Sequence, residues 1–275
     1  MSAIDYEAEY NNRARVPEHP GIIEGWARDA AAFRAGATAE LGLAYGAGER
    51  CRLDLFLPAG DRGRAVVVFI HGGYWQALDR SFFSHMAQGL VAYGIPVAVP
   101  SYDLCPQVRI GDIVAEMRAA CAFLRRRLQR PLVVAGHSAG GHLAACMLAT
   151  DWPAIAPDLP AGTVTAAYAI SGLFDLPPLL GTSINSALGM DEAEARRWSP
   201  LLWPAPAGRT LDAVVGGAES GEYLRQSRTI AETWGAAGTA ARWEAVPGAN
   251  HFTVIAALAD PASAMTRRLA DLSGA

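Results

Sequence analysis

Residues 132–149 read LVVAGHSAGGHLAACMLA, and the fold turns on how this stretch is divided. Leu132 to Ala135 form a continuous apolar run suited to a strand buried on both faces, and HLAACMLA (142–149) is made of good helix formers. Between them GHSAG (136–140) fits G-x-S-x-G, in which the serine sits on a turn so tight that its neighbours must be glycine or small. Gly136, Ala139, Gly140 and Gly141 meet that demand. The pentapeptide alone says little in a chain with 28 glycines among 275 residues, but strand, turn and helix in this order say more. Ser138 is therefore a candidate nucleophile, and the competing reading is an ordinary helix N-cap.

The same kind of apolar run recurs outward from this point. VVVFI (66–70), PVAVP (96–100), VTAAYAI (164–170) and LDAVVGG (211–217) are separated by helical patterns near 80–93, 111–129, 139–150 and 221–236. Doubly buried strands alternating with helices predict an α/β fold with a mostly parallel sheet and right-handed crossovers. RLDLFLP (52–58) instead alternates and pairs with a strand near 40–45 as an antiparallel edge. A last strand at 241–246 and a helix ending in MTRRLADL bring the expectation to about eight strands, with helices on both faces. Residues 1–38 read as a leader whose helix sets Trp26 and Phe33 on one face. The long break at 171–208 reads as a small lid or pocket wall. One domain over 1–275 accommodates all of this.

Composition narrows the partners. With 51% hydrophobic and 18% charged residues the chain has ample material for a core, and its formal charge of -4 gives no electrostatic footprint for nucleic acid. The run Arg125-Arg126-Arg127 reads as a solvated helix face. The N-terminal MSAIDYEAEYNNRARV lacks the basic start and apolar run of a secretory signal, and no apolar stretch of about 18 residues predicts a membrane span. A cytoplasmic protein is expected, with a homo-oligomer left open. Cys51, Cys105, Cys121 and Cys146 show no metal-binding spacing and read as core thiols, Cys105 standing close enough to a strand end to lie near a pocket.

A serine hydroxyl needs a base, and histidine is the side chain that serves near neutral pH. The chain order nucleophile, acid, histidine requires the base to follow the last strand. His19, His71 and His85 come too early; His137 adjoins the serine and His142 lies a helical turn beyond it. His251, in VPGANHFTVI, remains. Its acid should stand at the C-terminal end of an earlier strand. Asp212 begins its strand, at the wrong end. Glu219, where the chain leaves the sheet after VVGGA, is preferred to Glu222 one turn into the next helix, with Asp175 a further alternative. The HGGYW stretch (71–75) ends another apolar strand. Gly72 and Gly73 would offer backbone N–H groups to a developing oxyanion, completed by the N–H of Ala139, and Tyr74 and Trp75 would line the substrate pocket. His71 is expected to brace the loop.

Together these residues resemble the α/β-hydrolase superfamily, and more closely its kynurenine formamidase (arylformamidase) branch. The resemblance spans nearly the whole chain: YNNRARVP (10–17), YGAGERCRLDLFLP (45–58), HGGYWQ (71–76) where many lipases and esterases have HGGG, GHSAG, SGLFDL (171–176), GGAESGEYLRQS (216–227) and NHF (250–252). In that family the serine of GHSAG, the acid after the glycine preceding S-x-E-[FY] and the histidine of HF form the triad, which here fall on Ser138, Glu219 and His251. The acid is often Asp; this chain has Glu. The resemblance implies hydrolysis of a small molecule, N-formyl-L-kynurenine, to kynurenine and formate through a formyl-enzyme, with no metal or organic cofactor. A general carboxylesterase on small aryl esters would carry the same motifs. A non-catalytic binding protein on this fold would be expected to lack a triad member.

Overall fold

In the computed structural model, which describes residues 4–274, the apolar runs become the strands of one eight-stranded sheet. In chain order the strands are β1 (Ala39–Ala44), β2 (Arg52–Phe56), β3 (Val66–Ile70), β4 (Val97–Pro100), β5 (Leu132–His137), β6 (Val164–Ile170), β7 (Thr210–Gly216) and β8 (Ala240–Val246). They lie in the order β1-β2-β4-β3-β5-β6-β7-β8. β1 pairs antiparallel with β2 and β2 with β4; every other neighbouring pair is parallel. This is the α/β-hydrolase fold, with the expected antiparallel edge.

Valine-rich strands form here because both faces are covered. Val66, Val68 and Ile70 belong to one buried cluster and Val67 and Phe69 to the other. On the first face pack the Ile110–Leu128, Ala139–Leu148 and Gly221–Ala236 helices; on the second lie the His19–Gly36 and Ala264–Leu272 helices. Fully burying one such side chain contributes about 1.5–3 kcal/mol, so the central strands need no polar face. The leader helix is tied down by charge as well as by Trp26. Asp54 on β2, fully buried, accepts hydrogen bonds from Arg34 (2.5 Å), Arg80 (3.1 Å) and the Gly42 N–H (2.8 Å).

One expectation changes. The helix predicted at 80–93 is broken into short turns and the five-residue helix Gln88–Ala92. Phe83 leaves helical backbone at φ -123° because its ring is fully buried, 5.2 Å from Trp26 and 5.7 Å from His71. The 171–208 stretch is built of short helical pieces whose Phe174, Leu176, Leu179 and Leu188 are buried, and it is pinned from outside itself. Gln226 accepts hydrogen bonds from the Phe174 and Asp175 N–H groups, and His142 donates to the Trp198 carbonyl at 2.7 Å. Among the described residues no helix is long and apolar enough to cross a membrane.

Candidate active site

Where β5 ends, Ser138 takes φ 57° and ψ -118°, a conformation that L-residues rarely adopt, and the Ala139–Leu148 helix begins at once. Strain of this kind costs about 1–3 kcal/mol and persists only where the surroundings enforce it. They do: a side chain on Gly136 would collide with the backbone of Gly140, and the Ser138 N–H is held by the Ile170 carbonyl at 2.8 Å. As the first residue of its helix, Ala139 carries an N–H without an intrahelical acceptor. Gly72 lies against the elbow, where an added Cβ would stand 3.0 Å from that of Ser138. Gly73 has φ +117°, open to glycine alone. Ser138, Gly72, Gly73, Tyr74, His137 and His251 line one narrow cavity of about 40 Å³.

The loop after β8 carries His251 to this cavity. Asn250 shapes it, its side chain accepting hydrogen bonds from the Phe252 and Thr253 N–H groups. His251 donates from Nδ1 to Glu219 Oε2 at 2.7 Å, both side chains being buried. The other Glu219 oxygen accepts from the Gly216 N–H (2.7 Å) and the Ser171 hydroxyl (2.5 Å). With the carboxylate saturated in this way, the histidine is held in the tautomer that leaves Nε2 free to accept a proton. The Ser138 hydroxyl and His251 make no direct hydrogen bond; such contacts often tighten only with substrate bound.

The other carboxylates are engaged elsewhere. Glu222 accepts from the Tyr10 hydroxyl and from Arg225, each at 2.7 Å; burial raises its pKa, but these hydrogen bonds outweigh it and hold the group below its ordinary value. Asp175 pairs with Arg225 at 3.2 Å. Asp212 is buried at the opposite end of the sheet, against Arg242 and Arg268.

Three further histidines surround the site, and burial keeps each of them neutral. His137 is held well below the ordinary histidine range, first by burial and then by the adjacent His251, and it donates from Nε2 to the His251 carbonyl at 2.8 Å. His71 is pushed down to about 4 by burial; it stacks on Tyr102 at 4.2 Å and donates to the Gly72 carbonyl at 2.7 Å, bracing the glycine loop. Burial likewise brings His142 to about 4.

The two aromatics of HGGYW part company. Tyr74 lines the cavity, and its hydroxyl donates to the Tyr10 carbonyl at 2.5 Å. Trp75 does not line it: fully buried, the ring packs edge-on to His142 at 5.0 Å in the core beneath. The backbone takes consecutive positive φ values at Tyr74 (50°) and Trp75 (56°), and the two ring centroids stand 6.5 Å apart at a steep tilt. Trp26, Phe83 and Phe252 supply the apolar wall instead, and the leader helices roof the cavity. Asn12 donates to the hydroxyls of Tyr74 (3.2 Å) and Tyr223 (3.0 Å), and the Tyr223 ring lies 4.8 Å from that of His251. Ser171, at φ 51° at the end of β6, was not singled out by the sequence; its position at the head of SGLFDL was the available sign.

Cys105 is buried in the main core, and burial pushes its thiol up to about 11. Among the described residues the metal-capable atoms of Cys51, Asp103 and Glu116 lie within 4.8 Å of one another, but none of these residues lines the cavity at Ser138.

Known proteins agree with this architecture. The BD-FAE family profile matches residues 53–154. Kynurenine formamidase of Salmo salar is 33% identical over 85% of this chain and 82% of its own length; that of Drosophila melanogaster is 30% identical over 84% and 80%. The chain belongs to the kynurenine formamidase family. It is a hydrolase. A crystal structure from Silicibacter sp. tm1040, provisionally assigned as a thioesterase, superposes with a TM-score of 0.84 at 38% identity and covers 99% of this chain and all of its own. A thermostable carboxylesterase from a metagenomic library shares the fold at a TM-score of 0.73 and 19% identity, over 93% and 95% of the two chains.

Proposed function

We propose that Ser138, His251 and Glu219 act as a catalytic triad that hydrolyses N-formyl-L-kynurenine to L-kynurenine and formate. His251 Nε2 takes the Ser138 proton as the oxygen attacks the formyl carbon. The negative charge gathers on the formyl oxygen, opposite the N–H groups of Gly72, Gly73 and Ala139; donors placed in this way are worth about 3–4 kcal/mol each. The imidazolium, stabilised by Glu219, then gives its proton to the arylamine nitrogen as the C–N bond breaks, leaving a formyl ester on Ser138. A water molecule, deprotonated by His251, attacks that ester and releases formate, and the proton returns to Ser138.

The observation that carries this reading is the 2.7 Å contact between His251 and Glu219 beside a strained serine in a shared cavity. Formamide rather than long-chain ester chemistry is supported by the narrowness of the cavity and its aromatic walls, since a formyl group is the smallest acyl part it could be asked to admit. The family's members named above act in the same sense by their names. The leader and the 171–208 stretch are read as parts of the same catalytic unit: the leader walls the cavity at Ser138, and Ser183 and Ile184 wall the cleft beside it.

The deciding experiment compares kcat/KM for N-formylkynurenine with those for p-nitrophenyl acetate and p-nitrophenyl butyrate. The formamide is expected to lead, with acetate ahead of butyrate. A strong preference for butyrate would count against the reading.

A further inference from the structure

We infer that Arg13 is a specificity-determining residue that anchors the carboxylate of the substrate's amino-acid arm. This rests on the formamidase reading above and concerns a part of the substrate remote from the bond that breaks.

Three observations converge on Arg13. First, it is the one formally charged side chain among the residues lining the Ser138 cavity, whose other walls are aromatic, aliphatic or neutral polar. Second, it stands at a junction. A larger cleft of about 340 Å³ adjoins the narrow cavity and shares Asn12, Arg13, Gly73 and Tyr74 with it, and no carboxylate lines the cleft. The cavity at Ser138 is narrow, so the remainder of an N-formylkynurenine molecule extends away from the serine, and this cleft lies open beside it. Third, Arg13 is exposed and, among the described residues, makes no ion pair or side-chain hydrogen bond. Arg225 and Arg109, by contrast, are each held by a carboxylate.

The backbone that carries Arg13 is well fixed. Asn11 caps this turn of helix by accepting from the Ala14 N–H at 3.1 Å, and Asn12 is bound to Tyr74 and Tyr223. A guanidinium free at its tip on a fixed base suits bidentate pairing with a carboxylate, which lysine reproduces only as a point charge. The Glu7 carboxylate behind the cleft wall is already taken up by hydrogen bonds from Asn11 and Ser183, so the charge left unpaired beside the cavity is that of Arg13. Selectivity should therefore follow the acid. This also gives a role to the YNNR segment of the leader: Asn12 holds the roof while Arg13 reads the substrate.

The test measures kcat/KM for N-formylkynurenine and for its α-carboxamide in wild type, Arg13→Gln and Arg13→Lys, with thermal melts to establish folding. Wild type should prefer the acid. Arg13→Gln should lower kcat/KM for the acid by about 10–100-fold, mostly through KM, and shrink the acid-to-amide ratio by the same factor. Arg13→Lys should fall between the two, and rising salt should raise KM for the acid in wild type more than in Arg13→Gln. An unchanged ratio in Arg13→Gln, or a parallel loss on both substrates, overturns the assignment while leaving the formamidase reading intact. A wild-type enzyme that reacts with a fluorophosphonate at Ser138 yet hydrolyses neither formamide overturns the formamidase reading itself.

Discussion

Replacing Glu219 by glutamine removes one charge and almost no volume, and the structure specifies how the amide would sit. Oε1 faces two donors, the Gly216 N–H at 2.7 Å and the Ser171 hydroxyl at 2.5 Å. The backbone N–H cannot accept a hydrogen bond, so the amide oxygen must occupy that side and the NH2 must face His251 Nδ1, 2.7 Å away. Nδ1 can meet an N–H only as a bare acceptor, which moves the ring proton to Nε2, the atom that has to take the proton of Ser138. The same carboxylate-to-amide change in a serine protease triad lowers kcat about 10⁴-fold, and about 1.4 kcal/mol accompanies each tenfold. We expect Glu219→Gln to lower kcat by about 10³–10⁴-fold, roughly 4–5.5 kcal/mol of transition-state stabilisation, with KM little changed. Glu222→Gln is the control. It loosens contacts to Tyr10 and to the partly exposed Arg225, so it should cost about 1–2 kcal/mol of stability and only a few-fold in kcat. Steady-state rates on N-formylkynurenine together with urea melts separate the two effects. Glu219→Gln activity within tenfold of wild type, or equal losses in both variants, would refute the reasoning; loss in Asp175→Asn alone would move the acid there.

Ser138→Ala should abolish both turnover and fluorophosphonate labelling while leaving the melting temperature unchanged or slightly raised, because the strained position loses only a hydroxyl; labelling that survives the substitution removes Ser138 as nucleophile. A histidine base makes the rate pH-dependent, and a flat rate profile between about pH 5 and 8 would contradict one; His71, His137 and His142, held neutral by burial, do not supply that dependence. Stability should have an acid limb of its own. His71 and His142 have folded-state values of about 4 against 6.5 for the free side chain, so between these values the unfolded chain binds protons that the folded chain refuses. Unfolding free energy then declines as pH falls through this window, by about 3 kcal/mol for each histidine, and His142→Gln should flatten urea-derived stability between pH 6.5 and 4. Asp54→Ala should cost about 2–4 kcal/mol, as Arg34, Arg80 and the Gly42 N–H lose their shared acceptor, with kcat preserved below the melting transition.

Much of the scaffold was legible because its signals are local. Each parallel strand announces itself as an apolar run, and the elbow is written in Gly136, Ser138 and Gly140. The 80–93 segment misled because its composition favours helix while Phe83 is drawn out of helical geometry by a ring that fits between Trp26 and His71. Trp75 misled for a related reason: adjacency to Tyr74 suggested a shared pocket, but the Trp75 ring is fully buried against His142.

The chain order of strands, the position of Ser138 on a turn too tight for side chains around it, and the narrowing of the base to His251 all follow from short-range pattern, where neighbours in sequence are neighbours in space. Which carboxylate meets His251 is different in kind. Glu219, Glu222 and Asp175 are chemically alike and close in sequence to plausible positions, and only the register of β7 beside β8 brings Glu219 to a histidine 32 residues away while Arg225 engages the other two. The roof over the site is likewise a tertiary decision. Asn12 reaches Tyr223 across 211 residues, and no local periodicity encodes a contact whose partners meet only after the sheet has closed beneath them.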